Sequence, residues 1–126
     1  VECNKQEVFY ANQLCEVVVE DIVKKKIVNE ELKPEDKLFS VREMSVKLKV
    51  NPNTIQRAYQ ELERQGIAYK QRGMGTFVSG DISIIKKLKK EMAQDILCNF
   101  IRGMKELGFS SKEIVEVVRE NIQEDV

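Results

Sequence analysis

The sequence predicts a mainly α-helical fold that contains one small β-hairpin. Apolar residues recur every three or four positions in several segments, as they do along one face of an α-helix. Two short segments near the middle of the chain begin with helix-capping residues, Ser40 and Asn51. The tetrapeptide Arg72–Gly75 holds two glycines between two short runs of strand-forming residues, which is typical of a hairpin.

The first predicted helix extends from Asn12 to about Val28. Its expected apolar stripe consists of Leu14, Val17, Val18, Ile22 and Ile27. Its expected polar face holds Glu16, Glu20, Asp21 and Lys24-Lys25-Lys26. Val8-Phe9-Tyr10, which precede the helix, are expected to form an apolar anchor, and residues 29–37 are expected to form a polar loop around Pro34.

The next two predicted helices are short and lie close together. Ser40 and Glu43 have the spacing of a capping box, so a helix is expected from there to about Leu48. Lys49-Val50 forms the turn. Asn51 is a suitable N-cap for the second helix, and Pro52 occupies the first helical position, where a missing N–H costs little.

The second of these helices is predicted to bury a stripe of Ile55, Ala58, Tyr59 and Leu62. Gly66 then ends it at positive φ. Residues 67–71 and 76–79 are predicted to be the strands of the hairpin. The order is helix-turn-helix followed by a wing, an arrangement that places one helix in the major groove of DNA.

Beyond Gly80 two longer amphipathic helices are predicted, the first capped by Asp81 and ended by Gly108, the second opened by a capping box of Ser110 and Glu113. Such a pair cannot bury both apolar stripes alone. The helices either fold back on the winged domain or pair with a second chain, and we favour the second interpretation because the first stripe is long. The expected dimer interface comprises Leu88, Met92, Ile96, Phe100, Met104, Ile114 and Val118. The predicted domains are therefore 1–79, the winged helix-turn-helix, and 80–126, the dimerisation segment.

The formal net charge of the 126 residues is zero, but the charge is unevenly distributed. Residues 1–39 carry −3, residues 40–79 carry +4 and residues 80–126 carry −1. The basic excess therefore coincides with the predicted helix-turn-helix and wing, where DNA phosphates would lie. Because +4 is a modest charge, two copies acting together are expected to bind better than one.

The composition excludes several functional classes. The chain has no His, and Cys3, Cys15 and Cys98 are isolated, so neither a metal site nor a disulfide framework is expected. This use of cysteine suits a reducing cytoplasm. No apolar run approaches the roughly 20 residues of a membrane span. No nucleophile-and-base pair or phosphate-binding loop is present, so neither an enzyme nor a cofactor is predicted.

Eight short runs between residues 32 and 78 form a distinctive set. They are Leu32-Lys33-Pro34, Asp36-Lys37-Leu38, Ser40-Val41-Arg42-Glu43, Val50-Asn51-Pro52-Asn53-Thr54, Arg57-Ala58, Glu61-Leu62-Glu63, Gln65-Gly66 and Arg72-Gly73-Met74-Gly75-Thr76-Phe77-Val78. In these residues the chain resembles transcription regulators of the GntR family, and specifically the short YtrA-like subgroup. It departs from that pattern at Glu35 and Lys49, where glycine is usual, and at Phe39, where proline is usual.

The resemblance implies which residues contact DNA. They are Arg42 in the first helix of the motif, Asn51, Asn53, Thr54 and Gln56 at the start of the recognition helix, and Arg72 and Gly73 at the wing tip. The residues themselves point the same way, because the exposed side of the recognition helix is expected to carry Asn53, Gln56, Arg57 and Gln60. Asn and Gln suit adenine, and Arg suits guanine or phosphate. Alternatives stay open, since Asn51 can serve only as an N-cap and Arg57 can pair with Glu61 at i+4. Arg42 can equally be a surface residue of a helix start, and Gly73 and Gly75 can be only hairpin glycines.

The predicted function is a homodimeric, repressor-type regulator that binds a pseudo-palindromic operator in double-stranded DNA. The alternative is a winged-helix protein-interaction module, because fold alone does not decide function. An interaction module would more often carry apolar residues on the exposed face of the recognition helix. Whether a small-molecule effector acts on the protein is left open.

Overall fold

The computed structural model describes the backbone of residues 11–122 and the side chains of residues 16–122. The expected anchor Val8-Phe9-Tyr10, Cys3, and the side chains of Leu14 and Cys15 lie outside the described residues. Within this range there are five helices and one two-stranded antiparallel sheet, which confirms the predicted fold class. The elements are α1 (Ala11–Val28), α2 (Val41–Leu48), α3 (Pro52–Arg64), β1 (Ala68–Gln71), β2 (Gly75–Val78), α4 (Ile82–Glu106) and α5 (Ser111–Ile122).

The chain forms two compact units that divide after Leu88, inside α4. The first unit contains the helix-turn-helix, the hairpin and the start of α4. The second contains the remainder of α4 and all of α5. The predicted boundary between residues 79 and 80 lies just before α4 begins. The division into a DNA-binding domain and a dimerisation domain stays a prediction.

Among the described side chains of α1, the expected stripe is buried only at Ile27. Val19, Val23 and Ile27 are buried, whereas Val17 and Val18 are 59% and 54% exposed. The prediction was wrong for these two valines because apolar residues are consecutive here, and a period of 3.6 fits more than one stripe. Packing of α1 against α3 decides which stripe is buried. The same rotation buries Glu20, which was expected on the polar face.

Helix α2 begins with the predicted capping box. The backbone N–H of Glu43 donates to Ser40 Oγ at 3.1 Å, and the backbone N–H of Ser40 donates to Glu43 Oε1 at 2.9 Å. The helix ends at Lys49, which adopts a left-handed conformation with φ of 55°. Ser45 Oγ donates to the carbonyl of Val50 at 2.6 Å, so the turn is tied back to the helix that precedes it.

Helix α3 lies at the centre of the first unit. Asn51 caps it by accepting a hydrogen bond from Asn53 N at 2.7 Å, and Pro52 follows at the first position as predicted. The predicted stripe of Ile55, Ala58, Tyr59 and Leu62 is buried. Tyr59 Oη donates to the carbonyl of Phe39 at 2.7 Å, and burial raises the pKa of this phenol to about 12. These contacts fix the buried side of α3 and hence which side faces outward.

The hairpin pairs Tyr69 with Phe77, whose rings stack with centroids 5.7 Å apart. The end of the expected polar loop also joins this sheet, because Lys37 forms a β-bridge with Phe77 and Leu38 N donates to Thr76 O at 2.8 Å. Sequence reasoning missed this pairing. It holds the base of the wing against the segment that leads into α2.

In the second unit the local signals for the turn between α4 and α5 are confirmed. Gly108 has φ of 94°, and Phe109 N donates to Met104 O at 3.1 Å. Ser110 and Glu113 form the predicted capping box. Ile114 is buried, whereas Ile96 and Phe100 of the expected dimer interface are exposed. Further apolar side chains of this unit are also exposed: Leu107, Val115 and Ile122.

Candidate nucleic-acid interface

The outward side of α3 is polar along its whole length. Asn53, Gln56, Arg57 and Gln60 are exposed, opposite the buried stripe. Their spacing of three, four and seven residues places them on one face of the helix. Thr54 does not belong to this face, because its side chain is only 2% exposed. The helix therefore presents amide and guanidinium groups, which can form paired hydrogen bonds with base edges.

Three further predicted residues lie at exposed positions outside α3. Arg42 is the second residue of α2 and is exposed. Arg72 and Gly73 are exposed in the turn between β1 and β2. Gly73 has φ of 78°, and a Cβ atom at this position would meet no neighbour within 4 Å. The backbone of the wing tip is thus open to a close approach by another molecule.

Gly75, at the other end of the same turn, is constrained in a different way. Its φ is 119°, and a Cβ atom placed on it would lie 2.9 Å from Lys37 Cε. The side chain of Lys37 therefore packs against the turn end of β2. This role of Lys37 has no sequence signal, because it depends on contact between segments that are far apart in the chain.

The geometry decides one of the alternatives left open by the sequence, the pairing of Arg57. Asn51 is an N-cap, as its bond to Asn53 N shows, and it is also exposed, so its contact with DNA stays a prediction. Arg57 does not pair with Glu61, because Arg64 and Gln65 both donate to the Glu61 carboxylate. These two hydrogen bonds, with that from Arg64 the stronger influence, lower the pKa of Glu61 to about 2.

Arg57 instead pairs with α1. Its Nε lies 3.4 Å from Glu16 Oε2, and the Arg57 and Glu16 side chains are 49% and 24% exposed. Sequence reasoning placed Glu16 on a solvated face and gave it no role. No periodicity or local spacing identifies such a pair, since the partners belong to different helices.

A cavity of about 260 Å³ lies beside the helix-turn-helix. Val23, Leu32, Leu38 and Met44 contribute apolar surface to it, and Lys26, Glu31 and Lys37 also line it.

The described residues hold little that suggests other chemistry. Between residues 16 and 122, where side chains are described, no three His, Cys, Asp or Glu side chains are grouped as metal ligands would be. Cys98 is a free, exposed thiol. None of the helices in this range has both the length and the apolar character needed to cross a bilayer.

Comparison with known proteins connects this geometry to a family. Residues 16–78 match the model of the bacterial regulatory proteins of the gntR family. The matched region covers α1 from Glu16 onward, the helix-turn-helix and the hairpin. The chain is also 47% identical over 94 residues to YhcF, an uncharacterised HTH-type transcriptional regulator of Bacillus subtilis, covering 75% of this chain and 78% of YhcF. The chain belongs to the GntR family.

Two further relatives support the assignment. The HTH-type transcriptional repressor YtrA of Bacillus subtilis is 42% identical over 73 residues, which cover 51% of this chain and 56% of YtrA. A GntR family transcriptional regulator from Listeria monocytogenes has a similar structure, with a TM-score of 0.78 and 38% identity over 83% of this chain and 92% of that one. The resemblance to the YtrA-like subgroup is thereby confirmed. This GntR chain carries the DNA-binding helix-turn-helix of a transcription regulator, and its named relatives are regulators rather than enzymes.

Proposed function

We propose that this GntR protein is a homodimeric repressor that binds a pseudo-palindromic operator in double-stranded DNA. In each half-site α3 lies in the major groove and the wing lies in the flanking minor groove. The observation that carries the proposal is the face of α3 formed by Asn53, Gln56, Arg57 and Gln60, because these groups are exposed while the opposite face is buried. The relative YtrA is named a transcriptional repressor, which supports repression over activation.

The proposed dimer rests on apolar side chains of the second unit. Ile96 and Phe100 are 64% and 37% exposed on one face of α4, and Leu97 beside them is also exposed. Large exposed apolar side chains grouped in this way mark an interaction surface. Leu88 and Ile114 are already buried within the chain, so the surface available for dimerisation consists mainly of Met92, Ile96, Phe100, Met104 and Val118.

The alternative of a protein-interaction module is less well supported. A surface for protein partners is expected to carry apolar and aromatic residues at its core. The exposed face of α3 carries amides and one guanidinium instead. The outcome of a DNA selection experiment separates the two functions.

The direct test is in vitro selection of duplex DNA by the purified full chain. The proposal predicts enrichment of a sequence with two inverted half-sites. Their spacing is expected to be about one helical turn, or a multiple of it, as in dimeric helix-turn-helix proteins. A pool that stays random after several rounds would overturn the proposal.

The selected duplex also tests the predicted contacts. Arg42→Ala and Arg72→Ala are each expected to weaken binding by about 1–3 kcal/mol, the range for well-formed contacts to DNA. Binding is measured by fluorescence anisotropy at matched salt. Arg119→Ala is the control, because it removes the same charge from an exposed position on α5, outside the winged unit. If all three variants bind like the parent, the two arginines have been wrongly assigned.

A further inference from the structure

The pair between Glu16 and Arg57 joins the first helix to the face of α3 that we propose as the DNA-reading face. The contact uses Arg57 Nε at 3.4 Å from Glu16 Oε2. A guanidinium group has five N–H donors in a rigid plane. The ion pair with Glu16 lies at the Nε side of this plane, so the four donors of the two Nη atoms stay available for other partners.

The pair has little to contribute to stability. Both side chains retain contact with solvent, and ion pairs of that kind add little to the free energy of unfolding. The pair matters more for the net charge of the DNA-binding segment, because residues 40–79 carry only +4. Neutralising one arginine at the reading face removes a substantial share of that excess.

The other charged groups near this part of the two helices are already engaged. Arg64 donates to Glu61, and Lys25 lies 3.0 Å from Asp21 within α1. Glu20 is buried between the same helices, where Lys24 and Arg64 attract its charge and Glu16 and Glu61 repel it. Glu16 is therefore the carboxylate that acts on the guanidinium group of Arg57.

We infer that Glu16 is a positioning residue for DNA recognition, which holds Arg57 by Nε and screens its charge. This inference rests on the proposed function. Held in this way, Arg57 can form directed hydrogen bonds from its Nη atoms in the operator complex. On unrelated DNA the attraction to phosphate is set by net charge and not by geometry. Because Glu16 offsets the charge of Arg57, this arginine adds little to such binding. Glu16 thus raises the ratio of operator binding to non-specific binding.

The test compares Glu16→Gln with the parent on the selected operator and on a scrambled duplex, as full chains, over a range of salt concentrations. The variant is expected to bind the scrambled duplex more tightly, by roughly fivefold per protomer near 0.15 M salt, as for one additional phosphate contact. The slope of log K against log salt should steepen by about 0.9 per protomer. Operator binding should rise less, so the ratio falls.

Asp21→Asn is the matched control. It removes the same charge from the same helix, but the partner of Asp21 is Lys25 in α1 and not a residue of α3. A second variant, Arg57→Lys, keeps the charge and loses the planar group, so it should weaken operator binding while non-specific binding is unchanged. In an Arg57→Gln background, Glu16→Gln should no longer alter the ratio.

The possible outcomes distinguish a failure of the positioning role of Glu16 from a failure of the proposed function. If the parent selects a sequence but Glu16→Gln and Asp21→Asn change both duplexes alike, the positioning role is overturned and the proposed function stands. If Arg57→Lys equals the parent on both duplexes, the positioning role is likewise overturned. If the parent binds every duplex alike, the proposed function itself fails, and the inference fails with it.

Discussion

Among the described residues, three other than glycine hold backbone conformations that normally favour glycine: Glu30, Glu35 and Lys49. Lys49 has φ of 55° and Glu35 has φ of 72°. These two stand where the sequences that this chain resembles usually have glycine. The side chain of Glu35 is engaged, since Tyr69 Oη donates to its carboxylate. Lys49 lies in the turn of the helix-turn-helix, where its Cβ opposes the left-handed conformation.

We expect Lys49→Gly to raise the free energy of unfolding by about 1 kcal/mol, because the variant removes the clash of Cβ in the left-handed region. Urea denaturation followed by circular dichroism measures the change. Lys47→Gly, two residues earlier inside α2, is the control and should lower stability by about 1 kcal/mol or more, since glycine is unfavourable in a helix interior and the lysine also packs over Phe39. A Lys49→Gly variant that is less stable than the parent would show that the turn is not strained.

At the scale of elements, the interface between α1 and α3 contains a buried carboxylate. Glu20 is 9% exposed, and its pKa is raised, mainly by burial and to a smaller extent by the nearby carboxylates of Glu61 and Glu16. Lys24 and Arg64 act in the opposite direction. Because the folded state disfavours the ionised form, Glu20 reduces stability at neutral pH.

Glu20→Gln is therefore expected to be more stable than the parent at pH 7. The sign follows from the raised pKa, because deprotonation favours the unfolded chain once the pH exceeds the ordinary value of 4.5. The difference between the two proteins should shrink as the pH falls toward and below that value. Denaturation of both at pH 7 and pH 4 measures this, and a gap that is constant with pH would contradict the assignment.

The same interface shows how far sequence reasoning reaches within an element. The starts of α2, α3 and α5 were predicted from the N-cap residues Ser40, Asn51 and Ser110, and those caps are present. The buried stripe of α1 was predicted wrongly at Val17 and Val18. A cap involves residues within one turn of each other, whereas the buried side of a helix depends on the element that packs against it.

At the scale of the whole molecule, the two compact units offer different surfaces. The winged unit has a polar face on α3, and it also exposes Arg42 on α2 and Arg72 at the tip of the wing. The second unit exposes apolar side chains, among them Ile96 and Phe100. We have proposed that the first surface binds DNA and the second binds another copy of the chain.

Ile96→Glu is expected to convert the proposed dimer into a monomer, because it places a charge in the apolar interface. Sedimentation equilibrium measures the mass, and binding to the two-half-site operator should weaken at the same time. Gln94→Glu is the control, since it adds the same charge on the opposite face of α4, where Gln94 is exposed. A parent chain that is monomeric at micromolar concentration, or an Ile96→Glu variant that stays dimeric, would contradict the proposed interface.

The sequence by itself determined the order and type of the elements, their caps and turns, the buried stripe of α3 and the membership of the GntR family. Each of these depends on residues that are close together in the chain or on a motif that is contiguous. Only the tertiary structure decided which side of α1 is buried, that Lys37 joins the sheet at Phe77, and that Arg57 pairs with Glu16 instead of Glu61. These contacts join residues far apart in sequence, so only the packed chain brings their side chains within reach of one another.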